Sequence, residues 1–160
     1  MANLILWRHA EAEDGSTTGL DADRILTKTG RKDAAKMAKW LNEYLPQNTE
    51  VLCSPAKRCL ETVSALNQLP DSKRNYPINI ESFLGVDVNV ESIARQLVDD
   101  DSTKTKLIVG HQPNLGLLIA KILGMKDSAV VKKGAVWWLR QRSVNGVIQT
   151  YLFTVQHPDY

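Results

Sequence analysis

The sequence predicts an α/β fold: a three-layer α/β/α arrangement with a mostly parallel sheet and an antiparallel hairpin at its C-terminal end. Three observations predict it. Short apolar runs at Leu4-Ile5-Leu6-Trp7, Val51-Leu52-Cys53 and Leu107-Ile108-Val109 alternate with longer stretches of helical periodicity, the pattern of strand–helix–strand units. These runs are continuously apolar, as in strands covered on both faces. Two later runs, Ala135 to Arg140 and Val147 to Phe153, flank Asn145-Gly146, a strong hairpin signal.

The first run ends in Arg8-His9-Ala10. The polar stretch Glu11 to Arg24 reads as a loop, with most of its acidic and hydroxyl residues solvated. A helix starts around Leu26 to Gly30 with Thr27 as N-cap; Ala34, Met37, Ala38, Leu41, Tyr44 and Leu45 form its apolar stripe, and Pro46 stops it. After the strand Glu50 to Cys53, Ser54-Pro55 reads as N-cap and first helical residue, placing Arg58 about one turn into the next helix. Leu69 to Pro77 is a polar connection, Ile78 to Glu81 a short or edge strand, and Phe83 to Asn89 a loop. Val90, Ile93, Ala94, Leu97 and Val98 mark a helix ending near Asp99-Asp100-Asp101. That acidic run reads as a solvated turn, because calcium loops space their ligands more widely around a glycine. Lys106 to Val109 is a strand closed by Gly110-His111; a helix follows, with Leu115, Leu118, Ile119, Ile122 and Leu123 buried and Gly124 ending it. The tail from Gln156 to Tyr160 reads as frayed, with His157 on the surface.

The 160 residues suit one domain, 1–160, large enough for a substantial core. A net charge of +2 with scattered basic residues gives no stripe for nucleic acid. No stretch approaches the ~18 apolar residues of a membrane span. The opening residues lack a signal-peptide pattern, and a cytoplasmic monomer is expected. Cys53 and Cys59 match neither a zinc knuckle nor a redox pair and are expected to be reduced packing residues. In Trp137-Trp138, neighbours on a strand face opposite ways; one is expected in the core and the other under a covering helix, with an outward interface anchor as the alternative.

Taken alone, Arg8-His9 reads as a surface charge and an edge histidine. It gains weight because Gly110-His111 repeats the arrangement: a strand end, a histidine, then a helix. In open α/β sheets ligands bind beyond the carboxyl ends of strands. Arg8, His9, Arg58 and His111 can converge there. Two histidines, two forked guanidinium groups and two helix N-termini suit a phosphoryl group. A histidine in such a pocket can attack phosphorus and form a phosphohistidine that water releases. Catalytic zinc needs about three protein ligands, and adjacent arginines repel a cation, so no metal is expected. No nucleotide-binding glycine loop is present.

These residues resemble the signatures of the histidine phosphatase superfamily, which includes the phosphoglycerate mutases. Arg8-His9-Ala10 resembles its Arg-His-Gly/Ala motif. Ser54-Pro55 with Arg58 and Thr62 resembles Ser-Pro-x-x-Arg-x-x-x-Thr, and Gly110-His111 with Pro113 resembles Gly-His-x-Pro. Asp23-Arg24, Leu26-Thr27 and Gly30 resemble the Asp-x-x-Arg-x-Leu-Thr-x-x-Gly stretch of small SixA-type members. The resemblance implies a phosphoglycerate mutase-like fold and no cofactor. It makes His9 the nucleophile, with Arg8, Arg58 and His111 binding phosphate. Larger members carry a catalytic Glu near mid-chain. Here only Asp87 and Glu81 are nearby candidates for a general acid, and neither matches clearly.

Imidazole, with a reference pKa near ~6.5, leaves far more readily than an alkoxide. A phosphohistidine on a signalling protein is therefore the expected substrate and partner. A small-molecule phosphomonoesterase and a non-catalytic phosphate- or phosphoprotein-binding module are the alternatives.

Overall fold

The computed structural model describes residues 2–72, 74–98 and 104–160. Its centre is one six-stranded sheet, ordered β3-β2-β4-β1-β5-β6. The strands are β1 (Asn3–Arg8), β2 (Thr49–Cys53), β3 (Ile78–Ile80), β4 (Thr105–Gly110), β5 (Val136–Val144) and β6 (Val147–Gln156). The first four are parallel; β5 runs antiparallel to β1, and β6 antiparallel to β5. The helices are α1 (Lys28–Tyr44), α2 (Lys57–Ser64), α3 (Val90–Val98) and α4 (Asn114–Leu123).

Strand alternation sorts the core into two layers. Ile5, Trp7, Leu107, Val109, Val136 and Trp138 point toward Met37 and Leu41 of α1 and Cys59 and Val63 of α2. Leu4, Leu6, Ile108 and Leu139 point the other way, toward Ile93 and Leu97 of α3 and Leu115, Leu118 and Ile119 of α4. Every residue of β4 is buried, as expected for a parallel strand covered on both faces. The two tryptophans divide as the strand period requires: Trp138 is core, while Trp137 is half-buried against the second layer. The hairpin turns through Asn145 and Gly146, both at positive φ, and its strands are longer than the sequence suggested. No helix among the described residues is long and apolar enough to cross a membrane.

Some local expectations are corrected. Tyr44 is exposed and packs its ring on Trp40 instead of entering the core. The tail is docked: Pro158 is buried and its carbonyl accepts a hydrogen bond from Lys36 Nζ. His157 is half-buried, with its ring edge-on to Tyr160. The segment after β3 contains a 3-10 turn, Ser82–Leu84. The Asp99-Asp100-Asp101 run lies outside the described residues.

Candidate active site

Arg8 and Gly110 are paired neighbours at the carboxyl ends of β1 and β4. His9 and His111 follow them directly, so the two rings lie 5.5 Å apart between centroids. Arg58 enters from α2. The structure brings these four residues to one cavity of about 470 Å³, also lined by Ala12, Asp14, Asp21, Arg24, Val86, Asp87, Gln112 and Lys133. Glu81 is not among the lining residues. It sits at the start of the 3-10 turn beyond the edge strand β3, so of the two acid candidates only Asp87 reaches the cavity.

His9 is 7% exposed, and its Nδ1 lies 2.8 Å from the carbonyl of Ala10. A carbonyl only accepts, so Nδ1 carries the proton and Nε2 keeps its lone pair. Burial, followed by repulsion from Arg58, Arg8 and Arg24, outweighs the Ala10 bond and lowers the pKa of His9 to about 4. His111 is lowered to about 3, by burial first and Arg58 next. Both rings are therefore neutral at pH 7.

The expected Ser54 cap is not formed. α2 begins at Lys57, with Ala56 at its N-cap position and no side-chain cap. Arg58 is thus the second helical residue rather than one turn in. Ser54 Oγ instead accepts from the amide of Ala56 and lies 2.8 Å from His111 Nε2. That contact anchors the Nε2 edge of the His111 ring beside the start of α2. Cys59 Sγ packs 3.6 Å from the same Nε2. Burial pushes that thiol up to about 12, so it remains protonated. Both cysteines are free and buried.

The two arginines share one construction. Arg8 Nη1 donates to the carbonyl of Val131, and Arg58 Nη1 and Nη2 donate to the main-chain oxygen and Oδ2 of Asp21. In each, the Nε is buried without a hydrogen-bond partner. Orphaned buried donors are costly, and both guanidinium-bearing residues line the cavity, which suits it to an oxyanion.

The remaining motif residues hold this frame. Thr62 Oγ1 accepts from the amide of Ala10 and donates to the carbonyl of Arg58, tying α2 to the His9 turn. Thr27 caps α1 through Gly30 and hydrogen-bonds Glu11 Oε2. A Cβ at Gly30 would sit 2.0 Å from the Glu11 carbonyl, so glycine is what lets α1 approach the loop after β1. Gln112 clasps the loop beyond α4: its Nε2 donates to Ala129 O, and its Oε1 accepts from Gly116.

Sequence reasoning missed Asp21. Most acidic and hydroxyl residues of the loop 11–24 are exposed, as expected, but Asp21 pairs with Arg58 and Arg24, and Asp23 with Lys57. The spacing Asp21-x-x-Arg24 fits the motif better than the Asp23-Arg24 pair read from it. Lys133 gave no signal, because it reaches the cavity only through the path of the 125–134 loop, while Gln112 reaches it as the residue after His111.

The model of the histidine phosphatase superfamily (branch 1) matches residues 4–71, which hold the first two motifs. Over those residues the chain is similar to the histidine phosphatase superfamily. It is 29% identical over 132 residues to a phosphohistidine phosphatase SixA homolog of Haemophilus influenzae, covering 78% of this chain and 79% of that one. It is 29% identical over 122 residues to the phosphohistidine phosphatase SixA of Escherichia coli, covering 74% and 73%. The solved structure of the protein histidine phosphatase SixA complexed with tungstate superposes with a TM-score of 0.79 at 20% identity, over 98% of this chain and 97% of that chain. The last likeness establishes a shared fold.

Proposed function

We propose that this chain is a phosphohistidine phosphatase that hydrolyses the P–N bond of a phosphorylated histidine on a protein, through a covalent phosphohistidine on His9. The observation that carries this reading is the state of His9: neutral, with Nδ1–H held by Ala10 and Nε2 free, beside two unpartnered guanidinium Nε groups. The SixA relatives support the same substrate class.

In the first step the lone pair of His9 Nε2 attacks phosphorus and the new P–N bond forms, while the substrate ring, protonated from solvent on its other nitrogen, leaves as neutral imidazole with the electron pair of the broken P–N bond. Arg8, Arg58 and His111 balance charge on the phosphoryl oxygens. In the second step water attacks, the P–Nε2 bond breaks and phosphate departs. Because the substrate ring takes up that proton with a reference pKa near ~6.5, the first step needs little acid help from the protein. Free thiols at Cys53 and Cys59 suit a reducing, cytoplasmic setting.

Asp87 at the cavity favours a second reading, a phosphomonoesterase for small esters, with Asp87 protonating the leaving alkoxide. One experiment separates the two. A histidine-phosphorylated phosphotransfer protein carrying labelled phosphate is mixed with the wild-type chain and with His9→Ala, then quenched in alkali. Label passing through the wild-type chain to phosphate, and not with His9→Ala, supports the proposal. No release, with fast turnover of sugar phosphates, makes the protein a phosphomonoesterase. Binding of phosphate without hydrolysis of either leaves a binding module.

A further inference from the structure

We infer that Asp21 is a positioning residue that aims the Nε edge of Arg58 at the phosphoryl group; the inference rests on the phosphatase reading of this cavity. Arg58 is 3% exposed, and both of its terminal nitrogens are engaged by Asp21 alone, at 3.0 Å to the main-chain oxygen and 3.0 Å to Oδ2. Nε is the atom left over. Asp21 is held in turn: Arg24 Nε meets its Oδ1 at 3.0 Å, and Arg24 Nη1 donates to the carbonyl of Glu13. The chain Glu13–Arg24–Asp21–Arg58 therefore runs from the loop after β1 to the phosphate donor. Arg8 is fixed in the same way but by a main-chain carbonyl, that of Val131. Of Arg8 and Arg58, only Arg58 is held by a side chain among the described residues, that of Asp21.

A plain surface ion pair is the competing explanation, since the Asp21 side chain is 59% exposed. Such pairs contribute little to stability, and that is what makes the two separable. A positioning role predicts a loss in kcat with little change in melting temperature. It also predicts that removing the carboxylate, an anion at the rim of an anion site, leaves KM unchanged or lowers it. Burial opposes ionisation of Asp21, but Arg58 and Arg24 outweigh it and hold the carboxyl below its usual range, so the pair stays charged at assay pH.

The test uses the full chain as wild type, Asp21→Asn and Asp21→Ala, with two readouts. The first is kcat and KM on an aryl phosphate and on a phosphohistidine protein. The second is the NMR signal of Arg58 Nε–H, identified by its loss in Arg58→Lys and titrated with inorganic phosphate. Asp21→Ala is expected to lower kcat about 10- to 100-fold without raising KM, and to blunt the phosphate response of the Nε–H signal. Asp21→Asn, which keeps an acceptor and the shape but not the charge, falls between. Unchanged kcat, or a loss confined to KM, overturns the inference. An inactive wild type removes the phosphatase reading, and the NMR titration then decides separately: an Nε–H response that persists in Asp21→Ala overturns the role given to Asp21.

Discussion

The depressed pKa of His9 makes an unusual demand on the pH profile. An unperturbed histidine, with a pKa near ~6.5, would be only about 3% neutral at pH 5, so nucleophilic attack would slow about 30-fold between pH 8 and pH 5. With the pKa of His9 at about 4, about 90% of the ring is neutral at pH 5, and attack slows by less than about 2-fold. The assay is rapid-quench measurement of phosphoenzyme formation from an aryl phosphate, corrected for ionisation of that ester and quenched into alkali. A 30-fold loss centred near pH 6.5 would refute the assignment of burial and arginine repulsion as controls on His9. The same shift acts on stability. The folded state disfavours protonation of His9 relative to the unfolded chain, so this contribution is intact above pH ~6.5 and is lost as pH falls toward 4. At pH 4 the penalty from His9 is about 3 kcal/mol, and His111, lowered to about 3, adds to it. Melting temperature should therefore fall steeply between pH 6.5 and 4, and less so in His9→Phe.

Three further outcomes are expected. Ser54→Ala leaves His111 Nε2 and the Ala56 amide without their shared partner. It should cost about 1–3 kcal/mol in denaturant titration and lower kcat, because the His111 ring is no longer held in place. Gly116→Ala places a Cβ 2.0 Å from Ala129 O and 2.6 Å from Gln112 Nε2; overpacking of this kind costs about 1–3 kcal/mol. By displacing the loop whose Val131 carbonyl anchors Arg8, it should also weaken phosphate inhibition; a variant as stable and as phosphate-sensitive as wild type would contradict that link. Asp87→Asn should slow alkyl phosphate hydrolysis about 100-fold or more while leaving phosphohistidine turnover within about 2-fold, and equal losses on both substrates would mean that the imidazole leaving group also needs an acid.

Much of this molecule is readable from its residues because the informative features are local. β1 and β4 announce themselves as apolar runs that stop at a basic or small residue followed by histidine, and α1 by its period and its Thr27 cap. Arg8, His9, Arg58 and His111 stand out because polar groups interrupt patterns that otherwise bury. What could not be read depends on contacts between distant residues. Ser54 has the local grammar of a helix cap, but His111, 57 residues away, takes its hydroxyl instead. Asp21 looks like one acid among several in a polar loop until Arg58, 37 residues on, is placed beneath it. Asp87 and Glu81 are equivalent by composition; only the path of the chain after β3 takes one to the cavity and leaves the other at the sheet edge.

The pairing of Arg8 with Gly110 gives the two histidines a separation that no side chain chooses. Adjacent strands in a sheet lie about 4.8 Å apart, and the amide of His9 continues that ladder by donating to the carbonyl of Gly110. The gap between nucleophile and partner is thus gauged by main-chain hydrogen bonding, the least mutable dimension a protein possesses. Apart from Arg8, Arg58 and Gln112, the other walls of the cavity, at 12–24, 86–87 and 133, come from connecting segments. Such walls can be exchanged one at a time, altering which phosphorylated molecules are admitted while the distance between the two rings stays the same.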